Sequence, residues 1–485
     1  MHGFHFILLL LAIGLIVLSI WDLTQKGHSV LRTYPVIGHF RYILEGLGVY
    51  LRQFFYARDR EELPFNRAER TWIYRAAKDS DTTVGFGSTR DRRPLGSIYF
   101  VDAPFPLLGR DVVKTRPVTF GPQCENPYTT CSLINISAMS YGAISENAIL
   151  ALARGAKMAG CWLNTGEGGI SSFHLESGCD LVAQIGTAKY GFRDAEGNLS
   201  DEKLKEAAAF PQIKMFEIKL SQGAKPGKGG LLPAVKVTPD IAKIRGIPAY
   251  QDSVSPNRFP EIASSGELLD FIYRVRSVTG KPTGFKTVLG DYEWLHDLFK
   301  EINKRGIESA PDFITLDGAE GGTGAGPMSL MDYMGLPIAE SLPTLIDLLV
   351  EYKLRDRIKV IASGKLVTPS MIVWALCVGA DFINSARGFM FSLGCIQALQ
   401  CNLNTCPTGI ATHNTWLMRG LDPENKAVRV FHYVKNLEYE VGTICHSCGV
   451  HEPRELQRSH VRIVTQNGTS VSLEDIYPDK AKKPK

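Results

Sequence analysis

The chain has 485 residues, 44% apolar and 21% charged, proportions that exclude disordered, collagenous and coiled-coil classes. Lys and Arg number 54 against 50 Asp and Glu, a net +4 too small to mark a nucleic-acid surface. The length suits two or three domains of roughly 150 residues, or one α/β barrel with extensions.

The first element is an apolar run, FHFILLLLAIGLIVLSIW from Phe4 to Trp21, broken only by His5 and Ser19. At a rise of ~1.5 Å per residue it reaches about 27 Å, close to the hydrocarbon thickness of a bilayer. A signal peptide would have a basic leader and a small-residue cleavage site, and neither is here. The run is therefore expected to be a transmembrane anchor over residues 1–24. Lys26, Arg32, Arg41 and Arg52 follow it, which by the positive-inside rule puts the large domain in the cytoplasm. Residues 25–124 are rich in Arg, Pro and aromatics and read as a helical or irregular extension. A solvated basic face is the expectation there, with a membrane-surface role as the alternative.

Beyond residue 125, short apolar runs alternate with helical patterns. They are LINISAM (133–139), GCWLNTG (160–166), DLVAQIG (180–186), KMFEIKL (214–220), PTGFKTV (282–288), DFITLDG (312–318), KVIASGK (359–365) and DFINSARG (381–388). Eight strand-helix units predict a (β/α)8 barrel over 125–450, with chemistry at the C-terminal strand ends. A doubly wound open sheet is the alternative. Residues 221–281 are too long for one helix and must include a substantial loop, and 451–485 read as a tail.

The strand ends are unusual. The first leads into SAMSYGAIS (137–145), where Met139 stands among small residues. The second leads into NTGEGG (164–169), which puts Glu167 in a glycine-lined mouth. After the fourth, KLSQGAKPGKGGLLPAVKV (219–237) sets four lysines among glycines and prolines, with Arg245 beyond, a pattern suited to an anionic substrate. The fifth contributes Lys286. The sixth ends in DGAEGGTGAGP (317–327), which matches neither a P-loop nor GxGxxG. The seventh and eighth end in SGK and ARG, glycine beside a cation, where barrels commonly bind phosphate.

The sharpest local signal is GCIQALQCNLNTCPTGIATHN (394–414), in which Cys395, Cys401 and Cys406 have the spacing C-x5-C-x4-C. Structural zinc normally wants four ligands, whereas a three-iron cluster needs three thiolates. Cys445 and Cys448 form a CxxC that reads as ordinary helix cysteines.

In family order and with family-like spacing, SAMSYGAIS, NTGEGG, QGAKPGKGGLLPAVKV, DGAEGGTGAGP and the cysteine run resemble the FMN-binding synthase domain of glutamate synthase. The likeness extends over about residues 125 to 445 and points to its stand-alone, membrane-anchored form. It implies a (β/α)8 barrel and places Ala138, Met139, Ser140, Gln184, Lys219, Lys286, Gly321, Gly322, Thr323, Gly324, Gly364, Lys365, Arg387 and Gly388 at the flavin. It implies a [3Fe-4S] cluster on Cys395, Cys401 and Cys406. Lys225 and Arg245 would hold 2-oxoglutarate, with Glu167 at the reacting centre. The implied reaction is reductive amination of 2-oxoglutarate, or a related 2-oxo or imino acid, to glutamate.

Two departures stand out. The family's GGQLPG is GGLLPA here, so Leu231 replaces a substrate-contacting amide. The glutaminase domain, the C-terminal β-helix and a dinucleotide fingerprint have no counterpart, so ammonia is expected from solution or a separate glutaminase, and electrons from a separate donor. Two other functions remain open: a membrane-tethered flavin and iron-sulfur electron-transfer module, and another FMN-barrel oxidoreductase.

Overall fold

The computed structural model describes residues 2–111 and 115–478. The chain divides into two compact units, Met1–Ala68 and Glu69–Lys485. In the first, helix α1 (His2–Thr24) contains one apolar stretch, Gly3–Thr24, long enough to cross a membrane and almost wholly exposed. Helix α2 (Gly38–Leu51) follows.

In the second unit eight parallel strands close into a barrel: β1 (Ile134–Ile136), β2 (Leu163–Asn164), β3 (Leu181–Ile185), β4 (Ile213–Lys219), β5 (Thr283–Thr287), β6 (Phe313–Asp317), β7 (Lys359–Ser363) and β8 (Phe382–Ser385). Each coincides with one of the eight expected runs, β4 starting one residue earlier, at Ile213. Parallel strands covered on both faces need apolar residues on both, and nearly every position of these strands is buried. The last pairing, Ile383 with Ile134 and Asn384 with Asn135, joins β8 to β1.

Helices ring the barrel. Helix α3 (Glu146–Ala159) starts where the Ser145 hydroxyl accepts from the Ala148 amide and ends at left-handed Gly160. Helix α4 (Pro239–Arg245) starts at Thr238 with proline in its first turn and stops at Gly246. The long helix α5 (Pro423–Ser447) crosses α3 so closely that a Cβ on Gly155 would meet Val430 at 2.5 Å.

The N-terminal mouth of the barrel is plugged. The hairpin of Val118–Phe120 with Tyr128–Thr130 inserts Phe120 against Phe382 (ring centroids 4.7 Å), with Trp162 and Phe313 edge-on. These rings, with Val182, Met215 and Ile361, form one buried cluster. Only the C-terminal mouth of the barrel remains for chemistry. Residues 25–124, expected to be helical or irregular, therefore include strands. Ile98–Phe100 also pairs antiparallel with Val461–Val464, and that strand pairs with Ser470–Ser472, within the expected tail. These strands are three or four residues long and partly exposed, too short for periodicity to mark.

Phe120 is fully buried, so Phe120→Ala leaves a cavity that costs about 3–5 kcal/mol. Chemical unfolding of the full chain is expected to report that loss, with Val118→Ala at the rim of the cluster costing much less.

Candidate functional site

The chemistry-bearing residues collect where β2, β4 and the loops after them meet. Glu167 leaves β2 on the glycine loop. Gly166 (φ 68°) lets this loop lie backbone to backbone on Ser140, where a Cβ would come within 2.5 Å of the Ser140 nitrogen. The Glu167 carboxylate takes an ion pair from Lys219 Nζ at 2.9 Å. It is seated between Gly186 and Gly230, where a Cβ would meet its oxygens at 3.0 and 2.6 Å. Any larger residue at either position would displace the carboxylate.

Two further cations face Glu167. Lys225 and Arg245 are only 4% and 5% exposed. Arg245 Nη1 donates to Ser253 Oγ at 3.0 Å and its guanidinium lies over the Tyr190 ring, but its buried Nε has no partner. Burial lowers the Lys225 pKa to about 8, and repulsion from Lys219 and Lys228 adds to this while Glu167 opposes it. Burial works against ionisation of Glu167, yet Lys219, Lys225 and Arg245 together hold its carboxyl below the usual range. Glu167 is thus an anion among three cations. A cleft of about 240 Å³ opens beside this group, walled by Lys225, Lys228, Leu231, Pro327 and Asn402 among others. Leu231 is 39% exposed at its edge.

A second set lines the ends of β5 to β8. Lys286, in register with Lys219 on the neighbouring strand, pairs with Asp317 at 3.6 Å. Asp317 also accepts from the Gly223 amide. A Cβ on Gly321 would strike Asp317, one on Gly322 would strike Arg387, and one on Gly364 (φ 115°) would strike Gly318. Arg387 donates to the Glu320 carbonyl. Gly324 and Thr323 follow in the same loop, the latter bonded to the Ala325 carbonyl. Lys365 has positive φ beside Gly364. Ala138, Met139 and Ser140 are the half-buried residues after fully buried β1. Gln184 and Gly388 make contacts inside the fold. Gln184 Nε2 donates to Glu217, and Gly388 makes room for Tyr433, whose hydroxyl would lie 2.2 Å from a Cβ.

The cysteine loop after β8 is the third part. Cys395 and Cys401 are half-buried and Cys406 is buried. Burial, and then the neighbouring thiols, push Cys395 up to about 12 and raise Cys401. Non-glycine residues Gln397, Leu399 and Asn404 all take positive φ here, a strained backbone that persists only where its surroundings enforce it. Among the described residues no group of three or more His, Cys, Asp or Glu side chains converges to hold a metal ion. The donor set itself, three soft sulfurs on one loop, has the chemistry of an iron-sulfur site. Cys445 and Cys448 lie at the end of α5, as helix cysteines do.

Three residues escaped the sequence reading. Lys236 was grouped with the lysines over the mouth, but it is buried and donates to the carbonyls of Ala143, Cys401 and Ala411 at 2.6–3.2 Å. It ties the loop after β1 to the cysteine loop. His413 Nε2 contacts the Gly142 carbonyl at 2.9 Å, and burial lowers its pKa to about 4, so the neutral ring donates. Glu217, buried in the barrel, accepts from Asn164, Gln184 and Thr315. Nothing in the pattern KMFEIKL separates that glutamate from a solvated strand position.

Lys236→Met keeps the stem and takes the amine from three carbonyls, a loss of about 1–3 kcal/mol at the buried Ala411 carbonyl and less at the other two. The variant is expected to expose the loop 395–414 to hydrogen exchange while amides of the barrel floor stay protected.

Residues 110–451 match the conserved region in glutamate synthase. The glutamate synthase large subunit-like protein YerD of Bacillus subtilis is 41% identical over 504 residues, 95% of each chain. The archaeal-type glutamate synthase (NADPH) of Thermotoga maritima is 32% identical over 326 residues, 67% of this chain and 61% of that one. The archaeal glutamate synthase (NADPH) of Methanocaldococcus jannaschii is 31% identical over 341 residues, 68% of this chain and 61% of that one. The matched segment thus spans less than two thirds of these two relatives' length. With the whole barrel inside the conserved region, the chain belongs to the glutamate synthase family, and its barrel is the family's synthase domain.

Proposed function

We propose that the chain is an FMN- and [3Fe-4S]-dependent oxidoreductase that reductively aminates 2-oxoglutarate, or a closely related 2-oxo or imino acid. Helix α1 would tether it to a membrane with the barrel on the cytoplasmic side. The observation that carries the reading is Glu167 held among Lys219, Lys225 and Arg245, with Arg245 Nε unpartnered. Three cations against one carboxylate leave two positive charges unbalanced in a desolvated mouth, a match for a dicarboxylate.

Ala138, Met139, Ser140 and the glycines at 321, 322, 324 and 364 would lie against a flat ring system, the glycines bringing backbone and the side chains of Asp317 and Arg387 close together there. Lys286, Lys365 and Arg387 supply positive charge along it, suited to a phosphate-bearing cofactor. Cys395, Cys401 and Cys406 would hold the cluster. When bound, FMN would supply hydride and the cluster single electrons. The chain's own residues do the rest. Lys225 and Arg245 clamp the carboxylates and fix the acceptor carbon. Glu167, ionised because its cations outweigh its burial, orients an iminium or ammonium nitrogen by charge. Leu231 offers no hydrogen bond and turns an apolar wall to the cleft.

Protein prepared anaerobically from membranes is expected to contain FMN, iron and acid-labile sulfide. Cys406→Ser should abolish the iron and sulfide while Cys445→Ser and Cys448→Ser retain them. Iron lost from either CxxC variant would show a different ligand set.

In 2-oxoglutarate titrations followed by calorimetry, Arg245→Ala removes charge-assisted hydrogen bonds worth about 1.5–3 kcal/mol, roughly 10- to 150-fold in affinity. Leu231→Gln restores one neutral contact, about threefold to tenfold. Because the Lys225 pKa is lowered to about 8 and only the protonated amine attracts a carboxylate, affinity should fall as pH rises through 8. Lys225→Arg, charged throughout that range, should flatten the profile. No heat of binding in any of these proteins at millimolar ligand would sink the dicarboxylate assignment.

A further inference from the structure

In the first unit, α2 and the turn after it present an apolar face that this unit leaves uncovered. Phe40, Ile43, Leu44 and Leu47 recur at the spacing of one helix face, and Phe54 and Phe55 extend it through Arg52–Tyr56. All six are large and exposed, from 49% to 75%. The residues that pack inward lie elsewhere on the helix. Tyr42 meets the His28 ring edge-on at 5.5 Å, Gln53 is buried, and His39 is bonded to Asp22. Arg41 and Arg52 fall beside the apolar stripe on the helical wheel, and Lys26 and Arg32 stand in the short connection before it.

The start of α2 is pinned. Asp22, fully buried in the last turn of the apolar span, accepts from the Val36 amide at 2.8 Å and contacts His39 Nε2 at 2.9 Å. Wherever the span ends, α2 begins beside it. If α1 crosses a bilayer, its last turn lies at the polar boundary, and the apolar face of α2 starts at that depth. An amphipathic helix with aromatic and aliphatic residues on one face and arginines at its edge is suited to lie in that boundary. Anionic headgroups complement the four cations, each worth about 1 kcal/mol near such a surface.

We propose that α2 and its following turn form an interfacial helix, with Phe40, Ile43, Leu44, Leu47, Phe54 and Phe55 seated in the acyl boundary of an anionic lipid leaflet. The arginines at its edge hold the headgroups. The inference rests on α1 as a membrane anchor, and it replaces the solvated face expected for this segment by a lipid-facing one.

The test uses the full chain in vesicles of phosphatidylcholine and phosphatidylglycerol, with bromines on the acyl chains either near the carbonyl groups or near the bilayer centre. Added Trp emission is read by difference from the parent, which has six Trp. Leu47→Trp and, independently, Phe54→Trp should lose emission mainly to the shallow bromines. Leu10→Trp, in the middle of the span, should lose it mainly to the deep ones. Arg41→Glu with Arg52→Glu should reduce the shallow quenching of Leu47→Trp. If Leu10→Trp is quenched and neither Leu47→Trp nor Phe54→Trp is, the anchor stands and the interfacial helix is overturned, the face being covered by protein or bathed in water. If Leu10→Trp is unquenched at both depths, the anchor itself fails, and this proposal with it.

Discussion

An excess of buried positive charge governs the barrel mouth. Lys219, Lys225 and Arg245 surround the single carboxylate of Glu167, and removing cations from water is tolerated only where negative charge meets them. Several features serve to keep that arrangement open. Gly186 and Gly230 hold space for the carboxylate, while Gly142 and Gly168 press on the Arg245 guanidinium, where a Cβ would sit at 3.2 and 3.0 Å. Ser253 and Tyr190 fix the arginine and leave its Nε unpartnered. Buried charges that are only partly paired are costly to the fold.

The rest of the barrel supports the mouth from below and from the side. The aromatic plug of Phe120, Trp162, Phe313 and Phe382 closes the opposite end, so the strand ends near Glu167 cannot collapse into the barrel. Glu217, satisfied by three neutral donors, occupies the polar interior between plug and mouth. Lys236 and His413 carry the connection outward, joining the loop after β1 to the loop that contains Cys395, Cys401 and Cys406. Gly142 is shared by both parts: its carbonyl contacts His413 and its Cα faces Arg245. The cysteine loop and the cation cluster around Glu167 are thus mechanically one assembly.

The eight barrel strands were legible because each is a short apolar run followed by glycine or charge, and because parallel strands need apolar residues on both faces. Glu167 and Lys225 stand among glycines, with no solvated helix face to belong to, whereas Arg245 closes helix α4 and nothing in IAKIRG separates it from a solvated helix cation. Lys236 was misread because a lysine in sequence does not reveal whether its amine meets a ligand or three carbonyls of its own chain. The strands at 98–100, 118–120 and 461–464 were missed because so few residues carry no period, and the pairing of the first with the last spans hundreds of residues. The apolar face of α2 was not separated in sequence from the arginines around it, because only its exposure in the fold shows that the first unit leaves it uncovered.

The central claim, that this mouth accepts a dicarboxylic 2-oxo acid beside a redox centre, is tested most directly by reoxidation. The protein, reduced anaerobically, is mixed with 2-oxoglutarate and ammonia while flavin absorbance and glutamate are followed together. The account predicts that oxidised flavin returns in step with glutamate, and only when both reactants are present. Reduced flavin that persists with every 2-oxo acid, yet is reoxidised at once by an artificial electron carrier, would contradict it and leave an electron-transfer module as the function.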